Sequence, residues 1–353
     1  LALAPELALL KTVFDQGKLA VQLNVGPLIV PTTLAQYNAR SVPLPPKLFS
    51  HNDQQSVWQS SLPEGATTGW GGRIGDLFLG SNGTSAFTCI SVTGNAVYLA
   101  GQQAVQYQVS TSGAVPIKGL ANPPYGTAAY AAELRNLITR TSAHSLENEH
   151  AVVTRRSIDA EARMTSALAS AAPLATPFNS TNPLAVQLQM VAKLIAGRNN
   201  LGSTRQVFLV SLDGFDVHDN LLTRQPVLMT RVGEALKSFY DATVELGVAA
   251  NVTAFTASDF GRTLTSNGDG SDHGWGSHHF VLGGAVNGGR FYGTAPAIAV
   301  NGPDDVGQGR LLPTTSVDQF AATLAAWFGV SDSSLTTVVP NIGNFTVRNL
   351  GFV

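Results

Sequence analysis

The segments Ser258-Asp-Phe-Gly-Arg262 and Asp272-His-Gly-Trp-Gly-Ser-His-His279 bring carboxylates, imidazoles and a guanidinium together in a chain whose charged residues make up only 12%. Asp213-Gly-Phe-Asp216-Val-His218 is a second concentration of the same kind. Carboxylate oxygens and imidazole nitrogens are the ligand set of a hydrolytic divalent-metal site. The candidates are therefore Asp213, Asp216, His218, Asp259, Asp272 and His273. Plainer roles stand beside these: an Asx-type turn for Asp216 and His218, and helix capping or an ion pair with Arg262 for Asp259. His278 and His279 are adjacent, so on a strand only one of them faces a site.

Two apolar runs must position these residues. Val252-Thr-Ala-Phe-Thr-Ala257 is β-branched and aromatic and reads as a buried strand that delivers Asp259. Gln206-Val-Phe-Leu-Val-Ser-Leu212 delivers Asp213, Asp216 and His218 in the same way. In open α/β sheets ligands bind beyond the carboxyl ends of strands. The two runs, with a third strand over 18–25, are expected side by side in one mostly parallel sheet with helices on both faces.

Helices are expected over 5–16, from Ser50 with Asp53 as capping-box partner, over 184–196, over 225–246 and over 316–328. Thr68-Gly-Trp-Gly-Gly-Arg73 reads as a glycine-rich turn. Alternation over 86–117, with Gly94-Asn95 as hairpin turn, predicts antiparallel strands. Helical spacing then runs from about 126 to 169, and 171–183 reads as a Pro-containing linker. The expected organisation is one α/β domain over 1–353 that carries an insertion at 86–183, antiparallel strands first and helices after.

Composition narrows the function classes. The chain has 353 residues, 44% of them hydrophobic, enough for a large core. Lys and Arg total 21 against 23 Asp and Glu, without a basic stripe, which argues against nucleic acid as partner. No apolar run reaches the roughly 18 residues of a membrane span. The low charge suits an exported, periplasmic or extracellular protein. With no Met at the start and no charged-then-apolar leader, any targeting segment is expected to have been removed or to lie outside this sequence. The lone Cys89 excludes an internal disulfide framework and reads as a small core residue.

The segments containing Asp216, His218, Asp259, Arg262, Asp272 and His273, together with Gly283-Gly-Ala-Val-Asn-Gly-Gly-Arg290, resemble the bacterial domain-of-unknown-function 1501 family. Leu48-Phe-Ser-His-Asn-Asp-Gln-Gln55, Thr68-Gly-Trp-Gly-Gly-Arg73 and Asn349-Leu-Gly-Phe352 extend the resemblance over nearly the whole chain. That family is grouped with the alkaline phosphatase and sulfatase superfamily. The resemblance implies an alkaline-phosphatase-like fold and metal-assisted hydrolysis of a phosphate or sulfate ester. It assigns Asp216, His218, Asp259 and His273 to one or two divalent ions, zinc, calcium or manganese, with Asp272 kept as a metal candidate from its own place in the sequence. Ser50, at a helix amino terminus, takes the place of the nucleophile, with His51 and Arg262 as further catalytic candidates. Phe260 stands where the superfamily has His. This departure keeps open a non-catalytic extracytoplasmic binding or assembly protein with a degenerate site. Oligomeric state is left open.

Overall fold

A computed structural model describes residues 3–353; Leu1 and Ala2 lie outside it. The strands are β1 Leu19–Gly26, β2 Cys89–Ser91, β3 Tyr107–Gln108, β4 Val207–Leu209, β5 Thr253–Phe255, β6 Arg262–Ser266, β7 Ser271–His273, β8 Ser277–Gly283, β9 Arg290–Tyr292 and β10 Thr315–Ser316. The structure is α/β, with mixed strand pairing.

All eight residues of β1 are buried, because it pairs on both sides. β8 runs antiparallel along one side of it, and β9 and β10 pair parallel with it on the other. β5 then adds antiparallel to β8, so β1 and β5 point the same way. The carboxyl ends of β1 and β5 and the amino end of β8 consequently lie at one edge of the sheet.

The expectation of a single sheet is corrected. β4 does not join β5: it pairs parallel with β2, which pairs parallel with β3, in a separate three-stranded sheet. The predicted antiparallel arrangement over 86–117 is corrected with it. Gly94 does adopt the positive φ of a turn residue, and the Ser91 hydroxyl accepts from the backbone N–H groups of Thr93 and Gly94. The chain does not double back, however. It passes through a 3-10 turn over Val97–Leu99 that buries Tyr98 and Leu99, and returns in the same direction as it left.

Helices cover these sheets. Ala8–Asp15, Pro183–Ala196 and Leu221–Glu245 share one apolar cluster, and Val317–Phe328 buries Phe320, Ala321 and Leu324 in a second. The helix Val317–Phe328 begins with a full capping box formed by Ser316 and Gln319. The glycine-rich turn expected at 68–73 is instead the start of the helix Trp70–Phe78. Gly71 and Gly72 lie within it because a Cβ at either would collide with the Tyr98 ring or the Ala100 backbone. The helical segment of the 86–183 region consists chiefly of Ala128–Ile138 and Ser145–Ser170.

Candidate metal centre

Four chain segments meet at the sheet edge described above. The loop after β4 supplies Asp216 and His218, and the loop after β5 supplies Asp259 and Phe260. The hairpin β6–β7 pairs Arg262 directly with His273. The helix His51–Ser60 supplies His51 at its first position. The hairpin lies tight against the Asp216 loop, with Ser271 N–H donating to Val217 C=O at 3.3 Å. Position 270 must be glycine for this approach, since a Cβ there would strike the backbone of His218.

Asp216 is the hub. Its Oδ1 lies 2.8 Å from His218 Nε2 and 3.0 Å from His273 Nε2, and its Oδ2 lies 3.2 Å from His51 Nε2. Each imidazole is held at its other nitrogen by an oxygen. Asp259 Oδ2 is 3.3 Å from His51 Nδ1, Asp272 Oδ1 is 3.2 Å from His218 Nδ1, and the Phe49 carbonyl is 2.8 Å from His273 Nδ1. The Phe49 carbonyl can only accept, so His273 Nδ1 carries a proton, whereas at His51 and His218 both ring nitrogens face carboxylate oxygens and either can donate.

This pattern separates the sequence candidates. His51, Asp216, His218 and His273 form the inner group, and ligand atoms of His51, Asp216 and His273 all lie within 4.8 Å of one another. Asp259 and Asp272, expected as ligands, stand behind histidines instead, the position of the carboxylates that orient metal-bound imidazoles. Asn267 donates to Asp272 Oδ1 at 2.9 Å and is the main cause that holds its carboxyl below the ordinary range. Asp213 is exposed and outside the group.

Arg262 does not pair with Asp259. Its Nη1 donates to Asp216 Oδ1 at 2.8 Å, its Nη2 to the carbonyls of Val217 and Ser271, and its Nε to Ser271 Oγ at 3.2 Å. So engaged, it is a fixed counter-charge for Asp216. Burial pushes the Asp216 carboxyl up, but hydrogen bonds from Arg262 and His51, with the nearby imidazoles, outweigh this and hold it at about 2. Burial dominates at Asp259 and raises its carboxyl.

Phe260 is a wall of the site. Its ring stacks on His273 at 3.9 Å and 14°, and meets His51 edge-on at 4.8 Å. Sequence alone offered no signal for the Phe49 carbonyl, because a backbone acceptor has no side-chain signature. Gln54 was a missed neighbour: it accepts from Phe49 N–H and donates to Asp259 C=O, both at 2.8 Å.

Ser50 is the N-cap residue of the helix His51–Ser60, yet its side chain makes no capping hydrogen bond. The expected capping box is absent because Asp53 is buried and turned towards Lys47, 3.8 Å away. His278 and His279 both stay out of the site. His278 Nδ1 accepts from Asn24 N–H at 3.0 Å, while His279 is buried against Trp58, its pKa lowered to about 3 chiefly by burial.

The donor set fits a divalent cation. Three carboxylates face one directly bound guanidinium, and His218 Nε2, His273 Nε2 and Asp216 Oδ1 lie 2.8–3.0 Å from one another. Two ligands at ~2.0–2.1 Å from a tetrahedral zinc stand only slightly farther apart, about 3.3 Å.

A search of the curated proteins returns no match, and neither does one of the solved structures. The sequence profile of DUF1501, described as a protein of unknown function, matches residues 2–341, and the chain belongs to that family.

Proposed function

We propose that the protein is an exported metal-dependent hydrolase of phosphate or sulfate esters, on a frame of the alkaline phosphatase and sulfatase type. One observation carries this reading: three imidazole Nε2 atoms and a carboxylate converge, each imidazole oriented from behind by an oxygen. His51, Asp216, His218 and His273 would hold one divalent ion, with zinc favoured by the nitrogen-rich set. When bound, the ion supplies Lewis-acid stabilisation of charge on a phosphoryl or sulfuryl oxygen.

The chain's own groups do the rest. Asp259 and Asp272 orient His51 and His218, and Arg262 holds Asp216 ionised. Phe260 shields one face of His273 from water. Ser50, free of a capping bond at a helix amino terminus, is placed where backbone N–H groups and the helix dipole favour an anion, and serves as the nucleophile. The low content of charged residues, 12%, supports a periplasmic or extracellular setting.

A second reading, a binding or assembly protein with a metal-free site, is favoured by the contact of Arg262 with Asp216, which already provides that carboxylate with a cation. Metal analysis and hydrolysis of p-nitrophenyl phosphate and p-nitrophenyl sulfate decide between the two. Near-stoichiometric metal with metal-dependent turnover supports the hydrolase. A protein that takes up no zinc, manganese or calcium on dialysis overturns it.

A further inference from the structure

Arg310 belongs to none of the motifs that mark the site, and it touches none of the inner group's side chains. Two contacts nevertheless tie it to His273. Its Nε donates to the His273 carbonyl at 3.1 Å, and its guanidinium lies over the Phe49 ring, 4.6 Å from the centroid. Phe49 is the residue whose own carbonyl holds His273 Nδ1 at 2.8 Å. Arg310 therefore grips His273 by its backbone and, through Phe49, by its ring.

Phe49 needs such a grip. Its φ is +73°, a left-handed conformation rare for a bulky residue, and Lys47 two residues earlier is also left-handed at +41°. Strain of this kind persists only where neighbours impose it. Gln54 holds the Phe49 N–H from the helix side, and the Trp275 ring meets the Phe49 ring edge-on at 6.3 Å. Arg310 covers the ring by a cation–π contact. Its own position is set by the loop 301–310. There the buried Asp305 carboxylate accepts backbone N–H groups of Asn301, Gly307 and Gly309 at 2.7, 2.7 and 2.8 Å. The same loop accepts N–H groups of Leu264 and Thr265 from β6.

We propose that Arg310 is a positioning residue, which keeps Phe49 left-handed so that its carbonyl fixes the Nδ1–H tautomer of His273 and turns His273 Nε2 towards Asp216. The metal-affinity consequence rests on the reading of the site as a metal centre; the tautomer consequence does not.

The test compares the parent chain with Arg310→Ala by two measurements. Long-range ¹H–¹⁵N correlation spectra read the His273 tautomer without metal, and zinc titration against a competing chelator reads affinity. The parent is expected to show the Nδ1–H form, and Arg310→Ala a mixture of both forms with zinc binding weakened about 10–100-fold, the usual effect of losing an outer partner of a ligand. Arg310→Lys retains the charge and loses the planar Nε contact, so it should fall between them; it replaces the alanine variant if that fails to fold. An unchanged tautomer in a folded Arg310 variant overturns the proposal. If the parent binds no zinc but the tautomer still shifts, the positioning role stands and the hydrolase reading falls.

Discussion

Nε2 of His218 and Nε2 of His273 face each other at 3.0 Å, with Asp216 Oδ1 against both. One ring proton on either Nε2 can be shared among these atoms, and a divalent cation can take its place. Bound there, a cation would meet all three atoms at once, while Asp259 and Asp272 reach only the far nitrogens of His51 and His218. The two aspartates behind the histidines and the one in front of them must then respond differently to mutation.

Asp216→Asn, His218→Ala and His273→Ala should each weaken zinc binding by more than a hundredfold, whereas Asp259→Asn and Asp272→Asn should cost about 10–100-fold. Isothermal titration on refolded, metal-stripped protein measures both groups. Zinc at a hundred times its dissociation constant should also stabilise the parent by about 2.7 kcal/mol. Equal effects from the two groups of variants would remove the distinction between inner and outer positions.

Ser50→Ala isolates chemistry from folding. A working Ser N-cap is worth ~1 kcal/mol, but the Ser50 side chain makes no such bond. The variant should therefore unfold within about 0.5 kcal/mol of the parent, the usual range for a surface change, while ester turnover is lost. Retained phosphatase and sulfatase turnover in this variant would exclude Ser50 as nucleophile.

The sequence exposed the site's membership more fully than its roles. Asp216, His218, Asp259, Asp272 and His273 were recognisable by type and by placement after apolar runs, and the structure gathers them. Their inner and outer ranks were not legible, because rank depends on which ring nitrogen faces which oxygen. Strand positions were legible too, since β4 and β5 lie within the predicted runs. Their partners were not. An apolar run shows burial and is silent about which neighbour completes its hydrogen-bond ladder, so the parallel pairing of β4 with β2 was missed. The alternation over 86–117 misled for a related reason: it fits a strand in either orientation.

Close packing of the helix Trp70–Phe78 yields a stability test. A Cβ on Gly72 would collide with the backbone of Ala100, which cannot move as a side-chain tip can. Gly72→Ala should destabilise the fold by at least the ~1–3 kcal/mol of an overpacked core. Gly80→Ala, with no atom within 4 Å of the added methyl, should stay within about 0.5 kcal/mol of the parent. Urea unfolding of the two variants measures the contrast, and a neutral Gly72→Ala would refute the packing argument.

Asp318 predicts how stability depends on pH. Its carboxyl is fully buried at the start of the helix Val317–Phe328, where Oδ1 accepts Asn341 N–H at 3.0 Å and Oδ2 finds no hydrogen-bond partner among the described residues. Burial pushes its pKa up to about 7, against the opposing pull of Asn341, Ser61 and Arg73. Arg73 does not neutralise it by contact, since its guanidinium donates to the carbonyls of Ser60, Thr68 and Val338. The folded state thus binds a proton that the unfolded chain releases near pH 4. Stability from this group is full below about pH 4, falls as pH rises, and is lost above about pH 7. Asp318→Asn keeps the acceptor for Asn341 and removes the titration. At pH 8 it should be more stable than the parent by roughly 1–3 kcal/mol, the cost of a buried group left unsatisfied, and at pH 4 the gap should close. Chemical denaturation of both proteins at the two pH values measures this difference, and a gap that does not change with pH would show that Asp318 stays ionised in the fold.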